Sequence, residues 1–328
     1  MAPSGVNPMR FMQLALATTT VFSVVYMWQF VAMSVQDPAD ASGLVVAVKS
    51  RLLGQTRYVV QGFEAGHKFV SDYDVQSQGP LYILFMSDAD ANGTYWCPDC
   101  AKAHKPVYDA FSRAPRGSNI VEIRVGPVEY WADDMNEFRQ NQLFYIDYIP
   151  TLMRYNGGGN SSTMLSERYC LDEELLDFVF RVRNPSGEKP KNNQIVTFKD
   201  PESVVDYVDK FDNSYPLFIS FVSGFHSFNG RLWCPYCDRA DVAVMHYYNT
   251  TAPENAVLIR AVVAETYKKW KKKKNPFKRA EFREKIVHIR GVPYLGRITK
   301  DAATNKVHVQ EFLPDFDAKE QLQLFYKQ

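Results

Sequence analysis

The chain has 328 residues, enough for two ordinary domains with a core each. A net charge of +1, with 46% hydrophobic and 14% aromatic residues, excludes a disordered chain and an overall basic nucleic-acid binder. Five cysteines are too few for a disulfide-stapled secreted scaffold of this length, and the six histidines show no ligand spacing.

A tail over residues 1–10 precedes an uncharged run, residues 11–36, flanked by Arg10 and Asp37. As a helix it is long enough to cross a bilayer core of roughly 30 Å. It is expected to be an uncleaved signal anchor, with the N-terminus cytosolic and the domains in the lumen of the secretory pathway, as in the endoplasmic reticulum. A signal peptide cleaved near Ala39-Asp-Ala41 and a cytosol-facing placement compete with it, since the Lys and Arg counts on the two sides nearly tie. Residues 37–56 read as a linker.

Beyond it, Arg57 to Val60 reads as a strand and Gly62 to Ser71 as a helix. Leu81 to Met86 is a near-continuous apolar run of strand length, as in a buried central strand. The segment Asn92-Gly-Thr-Tyr-Trp-Cys-Pro-Asp-Cys100 leads into a helix whose first turn carries Pro98. Asn119 to Val125 reads as a strand. Ile149-Pro150-Thr151, a strand to Tyr155, a turn at Asn156-Gly157, a further strand and a helix over Asp172–Val182 follow. A Pro/Gly/polar linker over 184–193 separates two domains, 57–183 and 194–328.

The same order then repeats. A strand over Ile195–Phe198, a helix over Ser203–Phe211 and a strand over Pro216–Val222 lead to Asn229-Gly-Arg-Leu-Trp-Cys-Pro-Tyr-Cys237. A strand over Val257–Val263, then Val292-Pro293, a hairpin over Tyr294–Leu313 and a last helix from Phe316 complete it. The expected fold class is α/β, two tandem domains with a central mixed sheet and flanking helices behind one transmembrane helix.

Four of the five cysteines fall in the two Cys-x-x-Cys pairs. Cys97 and Cys234 each stand at a helix start, where unpaired amides and the helix dipole favour thiolate over thiol. Each is the expected nucleophile of a dithiol/disulfide exchange, with Cys100 and Cys237 as resolving thiols. The pairs are too far apart for ordinary zinc-ribbon spacing, and no metal is expected. Asp99 against Tyr236 between the cysteines suggests that Cys97 has the higher thiol pKa. Trp96 and Trp233 are candidate client contacts or loop packing; Cys170 is expected to be a buried structural thiol. Lys268 to Arg279 carries eight positive charges, a solvated loop or a contact for anionic lipid or an acidic client, with Trp270 as an interfacial anchor.

The Trp-Cys-Pro-Asp-Cys motif, Trp131-Ala-Asp-Asp-Met-Asn-Glu-Phe-Arg139, Ile149-Pro150-Thr151 and Cys170-Leu171, in that order, resemble the thioredoxin-related family of thioredoxin domain-containing protein 17. The second repeat looks like a diverged copy, keeping Phe282-Arg283 and Val292-Pro293. The resemblance implies a thioredoxin fold and a protein-disulfide reductase acting on disulfide-containing protein clients. It also implies recharging by a thioredoxin reductase-like or other thiol donor, with no bound cofactor. Pro150 and Pro293 would then be cis-prolines facing the cysteines, presenting the backbone of Ile149 and Val292 to an extended client. A client-binding module with only repeat 1 redox-active, and glutaredoxin-like activity of Cys-Pro-Tyr-Cys in repeat 2, are the alternatives.

Overall fold

The computed structural model describes residues 31–33, 44–49, 54–182 and 192–328. The expected membrane span lies outside them except for Val31–Met33, which form a strand, β1, rather than the end of a helix. Among the described residues no helix is long and apolar enough to cross a membrane. The linker over 184–193 also lies almost wholly outside the described residues.

The first domain runs β2 (Leu44–Lys49), β3 (Thr56–Gln61), α1 (Phe63–Ser71), β4 (Leu81–Met86), α2 (Pro98–Ser112), β5 (Asn119–Arg124), β6 (Thr151–Gly157), β7 (Asn160–Ser166) and α3 (Glu173–Val179). Its seven strands lie in the order β1-β2-β3-β5-β4-β6-β7, with β3, β5 and β4 parallel and the rest antiparallel. All six residues of β4 are buried, as a strand covered by helices on both faces requires. Two expectations change here. Residues 44–49 pair with β3 and are a strand, not linker. The β6–β7 turn falls at Gly158-Gly159, where both residues take the positive φ (60° and 80°) that a tight hairpin demands, and not at Asn156-Gly157.

The second domain runs β8 (Gln194–Phe198), α4 (Pro201–Asp209), β9 (Leu217–Val222), α5 (Pro235–Thr251), β10 (Val257–Val262), α6 (Tyr267–Lys271), α7 (Ala280–Lys285), β11 (Tyr294–Lys300), β12 (Val307–Glu311) and α8 (Lys319–Lys327). Its sheet order, β12-β11-β9-β10-β8, repeats the arrangement of β7-β6-β4-β5-β3. Helix starts are capped as the sequence allows: Asp172 accepts from the Glu174 N–H at 3.0 Å, and Asp200 from that of Ser203 at 2.7 Å.

The domains share a core. Tyr247, Tyr248, Phe325 and Tyr326 of α5 and α8 belong to one buried cluster with Leu165, Leu175 and Val179 of the first domain. The outer face of the second sheet has its own cluster, which takes in Trp270, Phe277 and Phe282 of the basic insertion between β10 and β11 together with Phe221 and Tyr294, the rings of Phe277 and Phe282 meeting Phe221 edge-on. Trp270 is 7% exposed, so it is a core residue of the insertion and not an interfacial anchor.

Candidate active site

Both nucleophile candidates cap a helix. A residue at this position ordinarily lends a side-chain oxygen to the free N–H groups of the first turn; here sulfur takes that place. Cys97 Sγ accepts the Cys100 N–H at 3.3 Å, and Cys234 Sγ accepts the Cys237 N–H at 3.3 Å. Pro98 and Pro235 follow at the first helical position, where no N–H is needed. Accepting a backbone N–H is a contact that a thiolate strengthens.

The preceding loop fixes each sulfur from behind. Ser87, just past β4, accepts the Cys97 N–H on its hydroxyl at 3.2 Å, and Ser223, just past β9, does the same for Cys234 at 3.1 Å. The indole of Trp96 donates to Gly126 O at 3.0 Å, that of Trp233 to Ala264 O at 2.9 Å. The tryptophans therefore tie the motif loop to the segment after β5 or β10 while keeping part of each ring at the surface. On the other side, the Ile149–Pro150 and Val292–Pro293 bonds are cis. Cys97 Sγ lies 3.7 Å from Ile149 O, and Cys234 Sγ 3.5 Å from Val292 O.

All five cysteines are free thiols. Cys97 and Cys234 keep 8% and 5% exposure while Cys100 and Cys237 have none, so only the first cysteine of each pair reaches the surface. The Cys97 thiol is lowered to about 7, first by the hydrogen bond from the Cys100 side chain and then by amides of the helix start, against burial and Asp99. The Cys234 thiol is lowered by the same contacts from Cys237, against burial and Asp238. Cys100 is raised by the bond it gives Cys97 and by burial, Cys237 by burial first. Cys170 is fully buried, donates to Leu165 O at 3.5 Å, and burial pushes its thiol up.

The expected ranking, with Cys97 the less acidic thiol, loses its basis. Asp99 pairs with Lys102 at 3.0 Å on the surface, whereas the second site has a carboxylate of its own. That group is Asp238, only 15% exposed at its side chain and pushed up to about 6 by burial.

Several functional contacts carried no motif signal. Glu122 is buried under the first site and accepts from Tyr95 at 3.1 Å and Tyr108 at 2.7 Å. Ser87 and Ser223 were legible only as the matched residues that end each central strand. Arg231 and Asp238 have no counterpart in the first repeat, where Thr94 and Ala101 stand. Conversely, the Trp131–Arg139 segment is structural: Arg139 stacks over Trp131 at 4.5 Å, and Phe138 is buried. Between the domains, Asp99 and Tyr236, the residues inside the two motifs, line one cleft of about 520 Å³ with Arg239 and Pro293. Among the described residues no group of side chains is placed to hold a metal.

A central strand feeding a helix capped by Cys-x-x-Cys, opposite a cis-proline that opens an antiparallel hairpin, defines the thioredoxin-fold class, here present twice. The family model of thioredoxin domain-containing protein 17-like proteins, thioredoxin domain, matches residues 59–182 and again 196–314, and the chain belongs to that family. Over 121 residues, 37% of this chain, it is 31% identical to thioredoxin domain-containing protein 17 of Danio rerio and 28% identical to that of Mus musculus, covering 91% of each. It is 32% identical over 112 residues to thioredoxin-like protein Clot of Oryza sativa subsp. japonica, 33% of this chain and 80% of that protein.

Proposed function

We propose that the protein is a thiol–disulfide oxidoreductase of the protein-disulfide reductase type, working through Cys97/Cys100 and Cys234/Cys237. The observation that carries this reading is the repeated cap: in both domains the sulfur of the first cysteine accepts the N–H of its own resolving cysteine at 3.3 Å. The first thiolate attacks one sulfur of a client disulfide, a mixed disulfide forms, and the other client sulfur leaves as a thiolate that takes a proton from solvent. The resolving thiol gives up its proton and attacks the first cysteine; the enzyme disulfide closes and the second client thiolate departs. Two electrons have then passed to the client, and a dithiol donor, thioredoxin reductase-like or another thiol, returns them. Trp96, Trp233 and the backbone of Ile149 and Val292 beside the cis-prolines are the surfaces against which an extended client would lie.

Reduction of insulin disulfides by the full chain, with a dithiol supplied as donor, tests this. Cys97→Ser and Cys234→Ser are each expected to lower the rate and the double variant to abolish it. Full activity of the double variant would overturn the reading, and loss with Cys97→Ser alone would confine catalysis to the first repeat. The uncharged run ahead of β1, residues 11–30, supports membrane anchorage, and lumenal domains in the secretory pathway go with it as part of the proposal. Retention in the membrane pellet after alkaline carbonate extraction supports the anchor; release contradicts it.

A further inference from the structure

A groove opens beside Cys234. It holds about 920 Å³ and runs from the nucleophile between the motif loop and the basic insertion. Its apolar lining includes Tyr145, Phe225, Tyr236 and Tyr267, four of the eleven large hydrophobic side chains exposed among the described residues. Such clustering beside a reactive sulfur marks a surface built to meet another chain.

The charges on this surface are one-sided. Lys271, Lys278 and Arg290 line the groove, and its one lining carboxylate, Glu265, is engaged by Lys269. Through Phe225 and Glu265 the groove continues into a second depression of about 620 Å³ lined by Lys199, Lys269, Lys272 and Lys274. The insertion is no loose loop. Trp270, Phe277 and Phe282 anchor it in the core, and Lys278 lies 3.9 Å over the Trp270 ring while donating to Trp270 O at 2.8 Å. The lysines are thereby held on a concave wall beside a thiol, with the insertion's tryptophan turned inward. The wall is concave, and a concave lining takes up an extended peptide, whereas the flat surface of a bilayer cannot enter it.

Resting on the exchange reading above, we propose that the second domain selects clients whose target disulfide is flanked by an aromatic residue and a run of carboxylates. The aromatic residue lies against Tyr236 and Tyr267 beside Cys234, and the acidic run follows the lysine-lined wall. Complementary charge of this kind acts on encounter rate and on the choice between partners.

The test uses the full chain carrying Cys97→Ser and Cys100→Ser, so that only the second dithiol reacts. Two short peptides, each held as a mixed disulfide with an aryl thiol, differ only in flanking glutamates or lysines beside a common tyrosine. The acidic peptide is expected to be reduced at least ~10-fold faster at low ionic strength, the preference shrinking as salt screens it. Adding Lys271→Glu and Arg290→Glu, both exposed, is expected to erase or invert the preference. Fluorescence anisotropy of the acidic peptide with its cysteine replaced by alanine reads the groove without turnover. Exchange at equal rates for both peptides would overturn the groove inference and leave the exchange reading standing. Selective binding without exchange would do the reverse. If the charge-reversed variant loses binding to phosphatidylserine vesicles while its peptide preference is unchanged, the basic face is a lipid surface and the proposal fails.

Discussion

Arg231 donates to the carbonyl oxygen of Phe144 at 2.9 Å, so the loop that carries Cys234 is bonded directly to the first domain. The same guanidinium donates to Tyr145 O and faces the sulfur of Met164 at 3.1 Å. Its side chain is 4% exposed, and its Nε lies 3.8 Å from Asp238. A buried cation held by another domain's backbone carbonyls makes the tandem arrangement part of the second site. Around it, Arg239 pairs with Glu167 across the same boundary, and Lys319 pairs with Glu174 at 2.9 Å.

Replacing Arg231 by methionine removes the cation facing Asp238, which keeps only the Leu232 N–H at 3.2 Å, and takes the donor from two carbonyls. A loss of about 3–5 kcal/mol is expected, as for one half of a buried pair. Urea unfolding of the full chain measures it; a change below about 1 kcal/mol would show that solvent replaces the guanidinium at no cost.

The pH dependence of Cys97 follows from its contacts. Alkylation of Cys97 should rise through a midpoint near pH 7, while Cys100 stays inert across the same range. Because the Cys100 thiol is the largest stabiliser of the thiolate, Cys100→Ala should move that midpoint upward. An unmoved midpoint would assign the effect to the helix amides alone.

At the second site, Asp238 opposes the Cys234 thiolate whenever it is ionised. Its own carboxyl is pushed up to about 6, so the opposition is present above that pH and fades below it. Asp238→Asn should therefore lower the Cys234 pKa, read from thiolate absorbance with Cys97 and Cys100 replaced by serine. A rise would mean that the carboxylate acts as a proton acceptor for the pair rather than as a repelling charge.

Gly224 is required by space. A Cβ there would stand 2.7 Å from Ala264 O and 2.8 Å from Glu265 Cα, both backbone atoms that cannot swing aside. Gly224 O also accepts the Trp233 N–H at 3.0 Å, so displacement reaches the motif loop. Gly224→Ala should cost roughly 1–3 kcal/mol, as overpacking does, and slow alkylation of Cys234. Gly93→Ala meets no atom within 4 Å and should show only the milder penalty of its φ of +80°.

Much of this arrangement was legible in the sequence because it is local. Apolar runs of strand length gave β4 and β9, and the Cys-Pro pairs marked helix starts, since proline is tolerated there and cysteine can cap. The cis state of Pro150 and Pro293 came from the family resemblance, not from residue pattern. What stayed hidden depends on contacts between distant segments. Residues 44–49, Leu-Val-Val-Ala-Val-Lys, carried a strand signal of their own, overshadowed by the uncharged stretch before them, and pairing with β3 fixes them. Trp270 stood among lysines and looked exposed, yet the insertion folds back and buries it. Arg231 and Asp238 resemble ordinary surface charges until the first domain closes over them.

Whether both dithiols perform the same two-step exchange is decided by trapping. Cys100→Ser and Cys237→Ser, made separately in the full chain, remove the resolving thiol and leave the nucleophile. Each variant, exposed to a disulfide-bonded protein client, should accumulate a dithiothreitol-sensitive mixed disulfide at Cys97 or Cys234, found by peptide mapping. No trapped species at Cys234 in Cys237→Ser, with Cys97 and Cys100 replaced by serine to remove the first site, would contradict the account for the second domain. Adducts at neither nucleophile would contradict it altogether.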